Sequence, residues 1–456
     1  MILDESIFKA YDIRGIYPDQ LNEELVYKIG RAYSTFLIKE NPQKELNIVV
    51  SSDMRLSSPA LRESLIKGIV DSGINVIDIG LASTPTFYFA VAFYGYDGGL
   101  QISASHNPKE YNGLKIVRKN GIPVSGDGGI YEIRDIVKNE SFIELSSKKG
   151  EVTKKEGVLE DEVKEESKGI NIEKIRPFKI AIDAANSMGA LDIKAMFKDL
   201  SCNVIEMNFE LDGSFPVHQA DPLQKENMKY VEEAVLENKA DMGISIDGDG
   251  DRYFFVDEKG ETVPQPIIRG LMAQIAIKEN PGSVVCYDIR PGKITKDMID
   301  EVGGKAVVTK VGHSLIKEKM LEVNSVFGGE SSGHFFYKFN FGTFEAPIAL
   351  VRKLLVYISE QNKPLSEIVA PYKRYFHTGE VNTEVLDKES KMKEIAQKYS
   401  DGEISYLDGV TIEYPDYWFN VRPSNTESLL RFALEAKTKE IMENKRDEIV
   451  DIIKSK

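Results

Sequence analysis

LNIVVSSDMRLSSPALRESLIKGIVDSGINVIDIG, residues 46 to 80, contains a complete crossover unit. Ile48 to Val50 reads as an apolar strand that runs into a loop carrying Asp53. Ser57-Ser58-Pro59 predicts a helix N-cap followed by a first-turn proline. Leu61, Leu65, Ile66, Ile69 and Val70 then recur at helical spacing, Gly73 ends the helix, and Val76-Ile77 resumes a strand. Two further stretches follow the same plan: FKIAIDAANSMGALDIKAMFKDLSCNVIEMN at 178 to 208 and VVCYDIRPGKITKDMIDEVGGKAVVTK at 284 to 310. Each has an apolar strand ending in an aspartate (Asp53, Asp183, Asp288), a loop, an amphipathic helix, and a second strand starting about 20 to 25 residues on, as a βαβ crossover requires. Three repeats imply three α/β domains of related design.

Between the first two repeats, residues 147 to 176 are dominated by Lys, Glu, Asp and Gly and read as a solvated linker with a surface helix. From about residue 373 the pattern changes: LLRFAL at 429 to 434 is a strand candidate and a charged helix follows from about 438, a smaller α+β domain.

The chain has 456 residues, 42% hydrophobic and 29% charged, the composition of a soluble globular protein of several domains. No apolar run approaches the ~20 residues that cross a bilayer, and the N-terminus lacks the pattern of a secretory signal. Cys202 and Cys286 stand alone, far apart, which argues against a disulfide scaffold or zinc-thiolate site and points to the cytoplasm. A net charge of −15 argues against nucleic-acid or anionic-membrane binding, while leaving room for small anionic ligands at local clusters of Arg and Lys.

Four loops carry chemistry. DMGISIDGDGDRYFFVDEKG, 241 to 260, sets Asp247, Asp249 and Asp251 between glycines and between two apolar segments. Alternate carboxylates on a tight turn can converge on one hard cation. An EF-hand is ruled out because its sixth position, which needs glycine, is Arg252, and the flanks are strand-like. The adjacent arginine suits Mg²⁺ with a phosphate. VRPSNTES, 421 to 428, offers a guanidinium and neutral donors, the chemistry of a phosphate cradle. VFGGESSGHFF, 326 to 336, matches the serine-hydrolase elbow literally, but the aromatic sequel is β-like where the elbow needs a helix, so it reads better as a polar loop presenting Glu330, Ser332 and His334 to a hydroxyl-rich ligand.

The fourth is ISASHNPKEYNGLK, 102 to 115. Ser105 stands beside His106, yet neighbouring side chains of an extended segment point to opposite sides, so His106 is expected to be badly placed to take its proton. Combined with a metal-carboxylate loop and a phosphate cradle, Ser105 reads instead as a carrier of a phosphoryl group. His218 and His377 read as structural.

FKAYDIRG at 8 to 15, SASHNP at 103 to 108 with YNGLK after it, DGDGDR at 247 to 252, TKVGHSLIK at 309 to 317, GESSGH at 329 to 334 and RPSNTE at 422 to 427 occur in the order found in the α-D-phosphohexomutases. Over nearly its whole length the chain resembles that family, in particular its phosphomannomutase/phosphoglucomutase group. The resemblance implies an α/β fold of four domains around a central cleft, the first three with similar mixed α/β cores and the fourth a smaller α+β domain. Expected domains are 1–150 with the phosphoserine loop, 151–254 with the Mg-binding loop, 255–372 with the sugar-binding loop and 373–456 with the phosphate-binding loop.

The resemblance makes Ser105 the phosphoserine, and implies that Mg²⁺ is held by Ser105, Asp247, Asp249 and Asp251. Lys115, His334 and Arg14 become candidates for proton transfer and charge stabilisation. Glu330 and Ser332 would bind sugar hydroxyls; Arg422, Ser424, Asn425 and Thr426 would hold the phosphate not being transferred; Tyr11, Arg252, Arg290 and His313 would stand nearby. The implied reaction interconverts hexose 1-phosphate and hexose 6-phosphate, of mannose or glucose, through a hexose 1,6-bisphosphate that turns round without leaving. Phosphoglucosamine mutase of the same family is the alternative; a serine hydrolase using Ser331 and a non-catalytic sugar-phosphate binder are the readings from other classes. The chain departs from the pattern at Ser428, where proline is usual, at Gly342-Thr343-Phe344-Glu345, where an acidic-glycine step is usual, and at Arg290, where lysine is usual. The partners expected are small sugar phosphates; nothing in the sequence speaks to oligomeric state.

Overall fold

The computed structural model describes residues 3–42, 44–290, 292–424 and 429–455. The three repeats fold as read. Strand Asn47–Ser52, helix Ser58–Asp71 and strand Asn75–Leu81 form the first crossover; Lys179–Asp183, Gly189–Met196 and Asn203–Met207 the second; Val284–Asp288, Lys293–Glu301 and Lys305–Thr309 the third. In each the two strands lie parallel, the first pair with a register shift between Val50 and Ser51. The strand interiors are apolar and buried: Ile48, Val49 and Val50 in the first, Ile180, Ala181 and Ile182 in the second, Val285 and Cys286 in the third. The strand-end aspartates Asp53, Asp183 and Asp288 are buried too. A buried carboxylate needs a partner, and these three organise the loops described below.

Two compact units are formed, residues 1–263 with 332–366, and 264–331 with 367–456. In the first, a six-stranded sheet runs in the order Ile13–Ile16, Tyr111–Arg118, Gly98–Ile102, Asn47–Ser52, Asn75–Leu81, Val152–Lys154, and a four-stranded sheet in the order Tyr253–Asp257, Met242–Ile246, Lys179–Asp183, Asn203–Met207. In the second, Val284–Asp288 lies between Lys305–Thr309 and Phe327–Gly329, all parallel. A separate five-stranded antiparallel sheet runs Phe376–Glu384, Leu429–Ala436, Tyr417–Pro423, Val410–Glu413, Glu403–Ser405, packed with helices Lys388–Lys398 and Lys439–Lys454 around a core that includes Ile395, Phe419, Phe432 and Ile449.

Two local expectations are corrected. Ser57 stands at the N-cap and Pro59 in the first turn as read, but the Ser57 side chain makes no capping hydrogen bond: its backbone is already helical, and its Oγ accepts from Asn112 Nδ2 at 2.8 Å. The 147–176 stretch is not simply solvated: Val152–Lys154 extends the first sheet, and helix Val158–Glu166 buries Glu162 and Glu166. Glu162 takes a hydrogen bond from Thr86 Oγ1, and Glu166 Oε2 accepts from the amides of Ile348 and Ala349, both at 3.0 Å. Asp192 is buried near Glu162. A charge run hides such residues because its composition does not show which face turns inward.

Burial, and then the adjacent Glu166, push the Glu162 carboxyl far up; burial pushes Glu166 up to about 8. The folded chain therefore keeps protons that the unfolded chain releases near pH 4 to 5, and this pair's contribution to stability falls as pH rises from there towards 8. Glu166→Gln removes the part of that slope that belongs to Glu166. In urea unfolding, the variant is expected to gain on the wild type by on the order of 2 kcal/mol between pH 5 and pH 8.5; a difference that stays constant with pH would contradict the assignment.

Candidate active site

Strands Met242–Ile246 and Tyr253–Asp257 pair as a hairpin, with Ile246 opposite Tyr253, and 247–252 form the connection. Burial of both strands draws the turn inward: Asp247 and Asp249 are fully buried and Asp251 nearly so. One ligating oxygen from each lies within 4.8 Å of the others. Asp247 Oδ1 accepts from the amides of Asp251 (3.1 Å) and Arg252 (3.2 Å), which curls the turn round that carboxylate. Burial and then the charges of Asp251 and Asp249 drive the Asp247 carboxyl well up. Asp249 Oδ1, though buried, has no hydrogen-bond partner among the described residues. Crowded carboxylates with an oxygen left over fit a hard divalent cation.

Ser105 meets this turn. Its Oγ donates to Asp247 Oδ2 at 2.9 Å. Gly248 allows the approach, since a Cβ there would come within 2.3 Å of the Ser105 carbonyl oxygen. Ser105 itself has φ of 49°, the left-handed region. That conformation corrects the expectation for His106: the segment is not extended, and Nδ1 of His106 lies 3.1 Å from the serine Oγ. Burial, then the nearby Arg252 and Arg14, hold the His106 imidazole well below its usual range, so it is neutral.

Arg55 carries the loop. The guanidinium is fully buried; Nη2 donates to the carbonyls of Ser105 (2.8 Å) and Asn107 (2.6 Å), and Nη1 to those of Pro108 (2.7 Å) and Tyr111 (3.0 Å). Asp53 pairs with it at 3.3 Å and also accepts from Ser58 Oγ at 2.6 Å.

Lys115, on the strand paired with Gly98–Ile102, sets Nζ 2.6 Å from Asp249 Oδ2 and 2.7 Å from Asp251 Oδ2. Burial alone would lower its pKa, but the two carboxylates outweigh burial and hold it well above the ordinary value. Arg14 Nε pairs with Asp12 at 2.7 Å and Nη1 reaches Asn107 Oδ1 at 2.5 Å. Nε2 of His334 lies 3.1 Å from Asp251 Oδ1, and Arg252 Nε 3.4 Å from the same nitrogen. Ser332 Oγ is 3.0 Å from His334 Nδ1. Ser105, Lys115, the three aspartates, Arg252 and His334 thus form one cluster, flanked by Arg14 and Ser332. Tyr11 is half-buried just ahead of the strand bearing Arg14.

In the other unit, Asp288 receives Arg269, Arg290 and the amide of Ser331 (2.9 Å). Arg290 Nη2 lies 3.9 Å from Glu330 Oε1, which accepts from the Gly312 amide at 2.7 Å, just before helix His313–Glu322. Ser331 Oγ donates to Asp288 at 3.1 Å and strand Phe335–Lys338 follows, so the hydrolase elbow is absent there. Arg422 is paired with Glu380, and Ser424 Oγ accepts from Arg431 Nη2 at 3.4 Å. Asn425 and Thr426 lie outside the described residues.

Four models of successive domains match the chain: phosphoglucomutase/phosphomannomutase alpha/beta/alpha domains I, II and III at 5–144, 161–260 and 267–375, and the C-terminal domain at 380–452. The chain belongs to the phosphoglucomutase/phosphomannomutase family. Family members similar to it include a Vibrio cholerae phosphomannomutase (36% identical, covering 98% of each chain) and one from Methanocaldococcus jannaschii (36% identical, 99% of this chain and 98% of the relative). The crystal structure of a phosphoglucomutase/phosphomannomutase family protein from Burkholderia thailandensis superposes with a TM-score of 0.91 at 30% identity, over 99% of this chain and 98% of that one. The four-domain α/β architecture is that of this phosphohexomutase family. Among the described residues no helix is long and apolar enough to cross a membrane.

Three residues beside the family's loops escape the sequence reading. Thr84 donates its hydroxyl to Asp249 Oδ2 at 2.6 Å and its amide to the Asp249 carbonyl at 2.8 Å. Glu345 brings a carboxylate oxygen within 4.8 Å of ligating atoms of Asp251 and His334; the departure at 342–345 thus keeps an acid. Glu380 pairs with both Arg422 and Arg431. Of these only Glu345 leaves a sequence signal, as an acid shortly after GESSGH.

Proposed function

We propose that the protein is a phosphohexomutase that interconverts hexose 1-phosphate and hexose 6-phosphate, with mannose and glucose as sugars, by way of phospho-Ser105 and a hexose 1,6-bisphosphate. The observation that carries this reading is Ser105 Oγ hydrogen-bonded to Asp247 inside a buried cluster of three carboxylates and one lysine. A phosphate-carrying serine needs positive charge beside its phosphoryl oxygens, and Lys115 stands in this cluster to supply it.

Asp247, Asp249 and Asp251, with Ser105, would hold Mg²⁺, which when bound supplies charge neutralisation at the phosphoryl group. In the transfer, the substrate hydroxyl oxygen bonds to phosphorus while the bond from phosphorus to Ser105 Oγ breaks. Lys115, kept as ammonium by Asp249 and Asp251, is suited to supply the proton that Oγ takes up, and His334, aligned by Asp251, to accept the one the substrate hydroxyl loses. Arg14 and Arg252 add positive charge. Glu330 and Ser332 read sugar hydroxyls, Arg290, His313 and Tyr11 border the sugar, and Arg422, Ser424, Asn425 and Thr426 grip the phosphate at rest. The four domains are assigned to 1–150, 151–254, 255–372 and 373–456. Free Cys202 and Cys286 support a cytoplasmic setting.

The test is kcat/KM for glucose 1-phosphate, mannose 1-phosphate and glucosamine 1-phosphate with Mg²⁺. Conversion of the first two supports the reading, preference for the third assigns phosphoglucosamine mutase, and binding without turnover by phosphorylated enzyme would overturn catalysis. Lys115→Met is expected to lower kcat by about 10²- to 10³-fold. It should also lower the Mg²⁺ concentration giving half-maximal rate, because two carboxylates lose a competing ammonium. Steady-state rates over a Mg²⁺ titration measure both.

A further inference from the structure

Each strand-end aspartate of the three repeats holds a cation: Asp53 holds Arg55, Asp288 holds Arg269 and Arg290, and Asp183 faces His218. Only in the second repeat can the cation titrate near neutral pH. Nε2 of His218 lies 2.8 Å from Asp183 Oδ2 and Nδ1 lies 2.9 Å from the carbonyl oxygen of Gln219. Both ring nitrogens therefore face oxygen acceptors, and meeting both requires a proton on each. Asp183 Oδ1 is fixed by the Ala185 amide and Asn208 Nδ2, both at 2.9 Å, and Tyr230 of helix Lys225–Asn238 stacks on the imidazole at 4.6 Å. Asp183 and Tyr230 are the titratable groups facing His218; burial lowers its pKa, and Asp183 with the Gln219 carbonyl more than reverses this.

The loop so closed, 212 to 221, touches the phosphoserine loop through Gln219, and the Arg55 segment and the carboxylate turn beside it. Gln219 Nε2 donates to the His106 carbonyl at 2.7 Å. The Phe215 ring lies 5.1 Å from the Arg55 guanidinium carbon, and Gly213 sits against the backbone of 54 to 56, where a Cβ would come within 2.6 Å of the Arg55 Cα. Ala220 lies beside Gly248 of the carboxylate turn.

We propose that His218 is a positioning residue for phosphoryl transfer: as an imidazolium bridging Asp183 and the Gln219 carbonyl, it locks the 212–221 loop, which through Gln219 and Phe215 holds the Ser105 backbone against Asp247. The catalytic part of this inference rests on the mutase reading. The clasp is closed while His218 is charged and loosens as pH rises through its raised pKa, so kcat declines on the alkaline side.

The test uses the full chain with His218→Gln and Gln219→Ala. Each is expected to lower kcat about tenfold at pH 7, what one hydrogen bond contributes, with KM changed less than about twofold. His218→Gln should also lack the alkaline decline. Deuterium exchange of residues 103–109 should quicken about tenfold in both, with the urea midpoint little changed in Gln219→Ala. In the wild type, proton NMR should show the His218 ring titrating above 6.5. Wild-type exchange at 103–109 and an unchanged kcat in Gln219→Ala, or a His218 that titrates at or below 6.5, would overturn the proposal. Exchange and NMR need no substrate, so a wild type that converts no hexose phosphate would sink the mutase reading while leaving the clasp to be judged by those two measurements.

Discussion

Ser105→Ala is expected to lose on the order of 10⁴-fold in kcat, the scale seen when a covalent nucleophile is removed, while folding and sugar-phosphate binding persist. The side chain is small and its backbone is fixed by others: Arg55 holds its carbonyl and Ser103 Oγ its amide. What disappears is the oxygen poised 2.9 Å from Asp247. Steady-state turnover with saturating hexose 1,6-bisphosphate decides the matter, since added bisphosphate cannot replace the missing carrier. Turnover close to that of the wild type would remove the covalent role.

Arg55→Ala is expected to be the most destabilising single change at the site, by about 3–5 kcal/mol. It strips the cation from buried Asp53 and the donors from four carbonyls, at Ser105, Asn107, Pro108 and Tyr111. Burial already pushes the Asp53 carboxyl up against the pull of Arg55, so removing the arginine leaves that acid to take a proton. Arg55→Lys should recover only part of the loss, because an ammonium has three donors and no planar fork. Urea unfolding of both variants, followed by circular dichroism, measures the effect; a loss under about 1 kcal/mol would mean the loop is held by other contacts.

The repeats were legible because their signals are local: a short apolar strand, a helical period and a second strand fall within one stretch, three times over. The hairpin around Asp247–Asp251 was legible for the same reason. What each strand-end aspartate binds was not. Arg55 lies two residues from Asp53, but His218 is remote in sequence from Asp183, and no spacing rule connects them; His218 read as structural. The expected separation of His106 from the Ser105 hydroxyl fails because a single positive φ reverses the alternation that an extended segment would impose. Glu162 and Glu166 disappeared into a charge run, since composition averages over both faces of a helix. Thr84 and Glu380 gave no signal, being ordinary residues of a helix start and a strand whose importance comes from what folds beside them. Glu345 stands out in the sequence only as part of a departure from the family pattern, although its carboxylate lies near His334.

A single turnover tests whether Ser105 carries the transferred phosphoryl group. Enzyme carrying ³²P on Ser105, located by mass spectrometry of the peptide containing SASHNP, is mixed with excess mannose 1-phosphate and Mg²⁺, and the reaction is quenched at intervals. Label is expected to leave Ser105 and appear first in hexose 1,6-bisphosphate, then in hexose 6-phosphate. Label that stays on Ser105, or leaves only as inorganic phosphate, would contradict it.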